Sequence, residues 1–302
     1  MSAPAYTSTP PATAFAPSPA RGRRKVPLRR RLTPLRLIVA IVVTLVFVSP
    51  IYLTVVNAFK TDDDIQNNPA SPPLHPTLGN ITAAINRPDR LLELGLRNSL
   101  IVVVCSVLLI IPLASSFSFW ISRRRTRTRA VILAVLSAGL MIPPQVVLLP
   151  TIRILSVIGL DHSYPGLILS NVGGGYFSFA VFVYVGFMRA VPSEVIEAAR
   201  IDGAGLLRAW WSIVMPLVRP ATATVTIFLS LWIWNDFLNP LFILGPEQGQ
   251  TITTGLYLSL GQMQIDFGQM FGIMFLAGII PVVGYLLIQK QFVAGLTAGS
   301  VK

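Results

Sequence analysis

One polar stretch of the chain places two carboxylates beside small residues, at the spacing of a short helix and a turn. Glu197 is followed by Ala198 and Ala199, and Asp202 stands immediately before Gly203. Two alanines in succession let another surface approach closely. A compact stretch of this kind forms a surface that a soluble partner protein can press against.

The flanking residues predict the shape of this stretch. Ser193 can cap a helix, because its hydroxyl can accept a free backbone N–H, and Gly203 is placed to end that helix in the left-handed conformation. A second helix is predicted over Leu206–Leu217, with Trp210 and Trp211 suited to the membrane interface. We therefore expect two short helices joined by a tight turn, although an ordinary amphipathic connector between two spans has the same local pattern.

A second polar cluster, residues 234–237, interrupts an apolar run. A carboxylate and an amide beside aromatic rings can bind a polar solute, and an ionisable residue at membrane depth indicates a functional site. The alternative is that Asp236 is hydrated at the outer interface or caps a helix end. From this cluster we take Trp234, Asn235 and Asp236 as candidate pathway residues.

Two adjacent prolines interrupt another apolar run. Pro143 and Pro144 remove hydrogen bonds from a helix, and a bilayer tolerates this only where neighbouring helices or a cavity satisfy the freed groups. A kink that lines a pathway and a kink that only fits packing are both compatible with this pattern. Both prolines join the candidate pathway residues.

The residue types that enzymes and metal sites need are scarce. His75 and His162 are the only histidines and fall in predicted loops, and Cys105 is the only cysteine. Asp62 to Asp64 are adjacent, but a solvated turn explains them better than a metal site. The glycine-rich segment 245–251 lacks the lysine of a phosphate loop, so we expect no catalytic residue, metal or cofactor on this chain.

The elements that must position these residues are membrane helices. Of the 302 residues, 53% are hydrophobic and 12% are charged, whereas about a quarter of a soluble domain is charged. Runs of about 20 apolar residues, enough to cross the hydrocarbon core, occur near 35–57, 99–121, 130–152, 166–188, 220–242 and 270–289. The predicted fold is an all-α polytopic membrane protein with about six transmembrane helices and both termini on one side.

The net charge of +12 is distributed unevenly between the two sides. With the N-terminus in the cytoplasm, the basic clusters at 21–36 and 123–129 and the connection 189–220 all lie inside. This bias is the positive-inside rule, so it explains the charge without a nucleic-acid partner and predicts that both termini lie in the cytoplasm. The basic residues predicted on the outer side are Lys60, Arg87, Arg90, Arg97 and Arg153.

Outside the spans, the sequence predicts little folded structure. Residues 1–34 form a basic tail that lacks apolar periodicity, so we expect it to be disordered and to contact anionic lipid headgroups. The predicted transmembrane domain comprises residues 35–302, and its connection 189–220 contains the two short helices. The first outside loop, about 58–97, contains several prolines and is predicted to be extended and irregular.

The segment from Glu197 to Gly205, with the later Ile213 and Met215-Pro216, resembles the EAA loop of permease subunits of binding-protein-dependent ABC importers. Gly205 is a departure, since relatives often carry a larger residue there. The resemblance covers about residues 35–302, and further stretches are similar to the carbohydrate-uptake branch, especially the smaller permease of maltose-type systems. These stretches are Asn98-Ser-Leu100, Met141-Ile-Pro-Pro-Gln145, Leu148-Leu-Pro150, Trp234-Asn-Asp-Phe237, Gln289-Lys-Gln-Phe292 and Gly295-Leu-Thr-Ala-Gly299.

The resemblance implies a permease that imports a sugar or sugar-like solute delivered by an extracytoplasmic binding protein. It also implies a second permease subunit and two copies of an ATP-binding subunit, which bind ATP and Mg in place of this chain. In that family the EAA loop docks as a coupling helix in a cleft of the ATPase. Carried over by position, the docking residues are Glu197, Ala198, Ala199, Asp202, Gly203 and Ala204.

Three other functions remain open from the sequence. The same kind of importer can carry amino acids, peptides or phosphate. An ion-coupled secondary transporter needs coupling-ion groups near the midplane, and the spans contain almost no charge. A membrane-embedded hydrolase needs a nucleophile and a base that face each other, and no histidine lies in any span.

Overall fold

The computed structural model describes residues 34–245, 249–260 and 266–300, without the side chains of residue 288 and residues 290–300. Most of the predicted disordered tail, residues 1–33, therefore lies outside the described residues. The same holds for part of the segment 245–251 and for nearly all side chains of the C-terminal motif at 289–299.

The described residues form fifteen α-helices and one π-helical segment. The helices are α1 Pro34–Ala58, α2 Asp62–Asn67, α3 Gly79–Ile85, α4 Leu91–Ser122, α5 Thr126–Met141, α6 Pro144–Val157, α7 Tyr164–Gly173, α8 Gly175–Met188, α9 Ser193–Ile201, α10 Leu206–Arg208, α11 Met215–Leu217, α12 Arg219–Asn235, α13 Leu238–Leu244, α14 Ile252–Leu260 and α15 Phe267–Ser300. The π-helical segment Ala209–Val214 joins α10 to α11.

Three helices, α1, α4 and the first part of α15, are long and apolar enough to cross a membrane. Three bent pairs, α5 with α6, α7 with α8, and the stretch Leu206–Leu217 with α12, also pass this test, so the chain has up to six spans. The all-α fold class predicted from the sequence is confirmed. The side on which the termini lie stays a prediction.

The third predicted span, near 130–152, is a broken pair of helices, and the break lies at Pro143 and Pro144, where the sequence predicted an interruption. The axes of α5 and α6 differ by 99°. Ile142 is extended, with ψ 121°, which suits its place before a proline, since a residue that precedes proline is disfavoured in the helical region. Pro143 then caps α6 and Pro144 occupies its first position, where a missing N–H costs nothing.

The fifth predicted span also ends earlier than expected. α12 stops at Asn235 because Asp236 is extended, with ψ 128°, and the separate helix α13 follows. The side chain of Asp236 accepts the backbone N–H of Asn239 at 3.3 Å, which satisfies one of the free donors at the start of α13. The carboxylate therefore marks a break between two helices.

The first connection is more ordered than the extended, irregular loop that the sequence predicted. It contains α2 and α3, and Thr61 caps α2 by accepting the N–H of Asp64 at 3.5 Å. Lys60 is only 1% exposed, and its Nζ donates to the carbonyl of Asn68 at 2.6 Å and to Ser71 Oγ at 3.2 Å. The hydrogen bonds of this buried lysine join the end of α1 to the segment that follows α2.

The packed centre is formed by α4, α8 and α12, which contact one another. Small or apolar residues of α4 recur every four positions on the buried face, namely Ser106, Ile110, Ala114 and Ser118, all fully buried. Two polar contacts cross this face: Ser118 Oγ donates to the Val181 carbonyl of α8, and Asn171 donates to Ser106 Oγ. Small residues and interhelical hydrogen bonds are what helices in lipid use to associate.

Candidate functional site

The carboxylate-bearing stretch folds as an elbow, which we define as residues 193–208. α9 ends with Asp202 as its C-cap, and Gly203 follows with φ +81°. The N–H of Gly203 bonds the Arg200 carbonyl at 3.0 Å and the N–H of Ala204 bonds the Ala199 carbonyl at 2.9 Å. These two bonds define a Schellman motif, so the predicted left-handed turn at Gly203 is confirmed.

The start of the elbow differs from the expectation at Ser193. Pro192 is the N-cap, with ψ 140°, and Ser193 is already helical and makes no capping hydrogen bond. The ring of Pro192 holds that residue at φ −57°, which suits a non-helical residue that leads directly into a first turn. The helix therefore begins without a side-chain cap.

The six predicted docking residues divide between two faces of the elbow. Glu197, Ala198, Asp202 and Gly203 are exposed, whereas Ala199 is buried and Ala204 is half-buried. Ile201 is 87% exposed at the tip, a large apolar side chain with no cover in the part of the chain that the structure describes. The exposed face thus joins two carboxylates to an apolar tip and a glycine turn.

The other face of the elbow packs on the π-helical segment. Ile196 of α9 belongs to the same buried apolar cluster as Ala209, Trp210 and Val214. Trp210 is 9% exposed and Trp211 is 60% exposed, so only the second tryptophan has the exposure that the sequence predicted for both. This packing holds α9 against the segment that precedes α12, and the axis of that segment is bent by 79° from the axis of α12.

The second polar cluster lies far along the chain from the elbow, beside the break between α12 and α13. Asn239 Nδ2 donates to Asp236 Oδ2 at 2.7 Å, and the backbone carbonyl of Asp236 accepts Thr253 Oγ1 at 2.9 Å. The rings of Tyr176 and Trp232 stack near the carboxylate, with centroids 6.3 Å apart.

A cavity of about 220 Å³ opens at this point. Asp236 and Pro144, predicted separately from the sequence, both line it, together with Gln145, Tyr176, Trp232 and Asn239. A larger cavity of about 660 Å³ shares Pro144, Tyr176, Trp232 and Asn239 with it. A stacked aromatic pair beside a carboxylate and two amides can hold a solute that has polar edges and apolar faces.

The remaining predicted pathway residues lie elsewhere. Trp234 is 7% exposed and belongs to the apolar core, and Asn235 is exposed, with its amide bonded to the Leu231 carbonyl at 2.8 Å. Pro143 caps α6 next to the cavity and is absent from the lining described for it. Tyr176 and Trp232 were missed because nothing local in the sequence shows which aromatic residues of two separate helices meet.

The sequence of this chain matches a known protein family. Residues 110–290, more than half of the chain, match the family described as binding-protein-dependent transport system inner membrane component. The melibiose/raffinose/stachyose import permease protein MelC of Bacillus subtilis is 32% identical over 270 residues, which cover 88% of this chain and 95% of that protein. The multiple sugar-binding transport system permease protein MsmG of Streptococcus mutans is 33% identical over 266 residues, with 84% and 91% covered.

A solved structure supports the fold. One chain of a bacterial ABC transporter involved in the import of the acidic polysaccharide alginate superposes with a TM-score of 0.74 at 17% identity, covering 85% of this chain and 95% of that one. At this identity the likeness concerns the fold alone. The matched region and the two relatives together show that this chain belongs to the family of inner-membrane permease components of binding-protein-dependent ABC transport systems.

Proposed function

We propose that this chain is the permease subunit of an importer for a sugar or sugar-like solute, and that its elbow couples transport to ATP hydrolysis on separate subunits. The observation that carries the proposal is the exposed face of the elbow, which presents Glu197 and Asp202 around a Schellman turn. A rigid protrusion that bears carboxylates and an apolar tip is suited to a cleft with basic residues.

The six docking residues have two different tasks in this proposal. Glu197, Ala198, Asp202 and Gly203 contact the ATP-binding subunit, since they are exposed. Ala199 and Ala204 act from within, because the carbonyl of Ala199 and the N–H of Ala204 close the turn at 2.9 Å. A larger side chain at Ala199 would push α9 away from the π-helical segment, and the exposed residues would move with it.

The solute pathway in this proposal runs through the cavities beside Asp236. Aromatic rings bind the apolar faces of sugars and carboxylates or amides bind their hydroxyls, and Tyr176, Trp232, Asp236 and Asn239 supply both kinds of group. The relatives MelC and MsmG, which carry sugar names, support this class of solute. Pro143 and Pro144 hold α6 in place along the pathway.

The partners are a second permease subunit, two copies of an ATP-binding subunit and an extracytoplasmic binding protein. Ile132, Leu133 and Leu136 of α5 pack against the core, and no residue of this helix is buried, so its outer side is available to a second permease. ATP binding then moves the elbow, and the change of state alternates access to the pathway between the two sides of a bacterial cytoplasmic membrane. Both termini lie in the cytoplasm, and nucleic acid is not a partner.

The test is purification of the tagged chain from its native membranes in mild detergent, with the associated subunits quantified by mass spectrometry. Glu197→Lys reverses a charge on the exposed face of the elbow, and Asp63→Lys makes the same type of change at an exposed position of α2. We expect wild type and Asp63→Lys to retain an ATPase and a second permease, and Glu197→Lys to lose most of the ATPase. Wild type that is folded yet brings down no ATPase would contradict the proposal.

The solute class is tested by uptake into cells that carry the whole importer. Asp236→Asn removes the carboxylate charge beside Tyr176 and Trp232, and Asp63→Asn is the matched control. We expect the wild-type importer to take up labelled oligosaccharides, and to do so even when the ion gradients are collapsed. In Asp236→Asn this uptake should fall at least tenfold, which corresponds to about 1.4 kcal/mol. Uptake of amino acids or peptides but not sugars would assign the importer to another solute class.

A further inference from the structure

A basic cavity lies directly beside the elbow, at the end of α4. It has a volume of about 470 Å³ and is lined by Ser116, Phe119, Trp120, Arg123, Arg124, Arg200, Leu206, Leu207 and Trp210. The cavity therefore combines three guanidinium groups with apolar and aromatic walls. It is separate from the cavities beside Asp236 and from the exposed docking face of the elbow.

The positive charges of this cavity have no carboxylate partner in the described residues. Ion pairs within the described ranges are Arg87 with Asp89 and Arg90 with Glu93, and both lie in the segment that precedes or opens α4. Partial burial, and secondly the charge of Arg200, lower the pKa of the Arg123 guanidinium. An anion bound between these groups would relieve that repulsion, and guanidinium groups bind phosphate oxygens in bidentate geometry.

Aromatic rings hold two of these guanidinium groups in place. The guanidinium carbon of Arg123 lies 4.1 Å from the ring centroid of Phe119, and that of Arg124 lies 4.2 Å from the ring centroid of Trp120. Such contacts fix the charged ends at the level where aromatic residues meet the headgroup region. Trp210, which also lines the cavity, has a buried indole N–H without an acceptor among the described residues.

An apolar groove continues from the basic cavity along α4. A second cavity of about 570 Å³ shares Ser116 with it and is lined by Leu113, Phe117, Val172, Gly173 and Phe177. The ten helical steps from Leu113 to Arg123 correspond to roughly 15 Å along the helix, which is enough for most of an acyl chain. A charged end and an apolar extension at this spacing have the chemistry of a phospholipid rather than of a free phosphate ion.

We infer that this cavity binds the headgroup of an anionic phospholipid, with Arg123, Arg124 and Arg200 on the phosphate and one acyl chain in the groove along α4. In the orientation proposed above, the cavity faces the cytoplasmic leaflet, which carries anionic lipid. Arg200, Leu206 and Leu207 belong to the elbow, so the bound lipid joins the elbow to the end of α4 and supports its position for docking.

The test uses the complex purified with its partner subunits, incubated with phosphatidylglycerol or with phosphatidylcholine of the same acyl chains, and examined by native mass spectrometry. Arg123→Gln with Arg124→Gln removes two charges from the cavity. Arg127→Gln with Arg129→Gln removes two charges from the same connection, outside the cavity lining. We expect the first pair to bind phosphatidylglycerol roughly 30-fold more weakly than wild type and the control pair to bind it as wild type does.

A third variant tests the groove without any change of charge. Ser116→Trp fills the point that the two cavities share, so we expect weaker binding of long-chain phosphatidylglycerol and unchanged binding of the dihexanoyl form. Equal retention of phosphatidylcholine, equal loss in the two double variants, or an unchanged response of Ser116→Trp would overturn the lipid site. Loss of the ATPase subunit from the Arg123, Arg124 variant with phosphatidylglycerol still bound would also overturn it, because the surface would then be a protein dock.

Discussion

At the scale of single residues, the elbow depends on a backbone conformation that few residue types adopt. Gly203 has φ +81°, and a Cβ at this position would meet no atom within 4 Å, so its requirement for glycine comes from the backbone and not from space. Gly205, two residues later, has φ −66°, which any residue adopts. The two glycines therefore make a matched pair for experiment.

Gly203→Ala is expected to destabilise the turn by about 1 kcal/mol, since alanine disfavours the left-handed region. Gly205→Ala should have no such effect. The measurement is hydrogen exchange of the peptide that covers 193–206, on the whole complex. The destabilised turn of Gly203→Ala should appear as roughly fivefold faster exchange at the end of α9. Equal exchange in the two variants would show that the Schellman bonds do not hold the elbow closed.

Lys60 is the second residue whose role depends on its surroundings. Lys60→Met removes the hydrogen bonds from a charged donor to the Asn68 carbonyl and to Ser71 Oγ, and a hydrogen bond to a charged group is worth about 1.5–3 kcal/mol. We expect faster cleavage within 67–73 by a protease added to right-side-out vesicles. Arg90→Met, which breaks only an exposed ion pair with Glu93, should leave the cleavage rate unchanged.

At the scale of elements, close approach between α4 and α8 is decided by small residues. Ser118 is fully buried and its Oγ donates to the Val181 carbonyl at 3.2 Å, so the contact consists of a short side chain and a hydrogen bond. The bend between α5 and α6 illustrates the opposite case, where two prolines end one helix and start another. Packing decides the first feature and backbone chemistry decides the second.

Ser118→Leu is expected to separate α4 from α8 and to cost about 1–3 kcal/mol by overpacking. Ser118→Ala keeps the volume small and loses only the hydrogen bond, worth about 0.6 kcal/mol between membrane helices. Thermal unfolding of the purified complex should therefore rank wild type, Ser118→Ala and Ser118→Leu in falling order of stability. A larger loss in Ser118→Ala than in Ser118→Leu would show that the hydrogen bond, not the close fit, sustains this contact.

At the scale of the whole molecule, the distribution of charge predicts the orientation in the membrane. The structure brings Arg123 and Arg124 to the same cavity as Arg200 of the elbow, so two of the basic segments assigned to the cytoplasm do lie together. At the first connection, Asp62 Oδ1 accepts the N–H of Gly268 at 3.1 Å, so α2 and the start of α15 meet. Each of these pairings joins segments that the predicted topology assigns to one side.

Cysteine labelling of intact cells tests this orientation. In a Cys105→Ser background, Asn86→Cys and Ser193→Cys each place one thiol at an exposed position. A membrane-impermeant maleimide should label Asn86→Cys in intact cells and Ser193→Cys only after lysis. The reverse result would invert the topology and would place the elbow out of reach of an ATPase.

The sequence by itself determined the features that depend on composition and on neighbouring residues. Apolar runs indicated the spans, Asp202-Gly203 indicated a left-handed helix end, and Pro143-Pro144 indicated a break, because each of these follows from transfer to lipid or from the backbone preference of a few adjacent residues. The wider resemblance to importer permeases rested on the same local patterns in the right order.

Only the tertiary structure decided which surfaces these residues share. It buried Ala199 and Trp210 while it left Glu197 exposed, it brought Tyr176 and Trp232 beside Asp236, and it placed Arg200 beside the end of α4. Each of these outcomes depends on how helices distant in the chain pack against one another. Hydrophobic periodicity specifies which residues leave water or enter lipid, but the partner that covers each face is chosen by the fit of small and large side chains across helices.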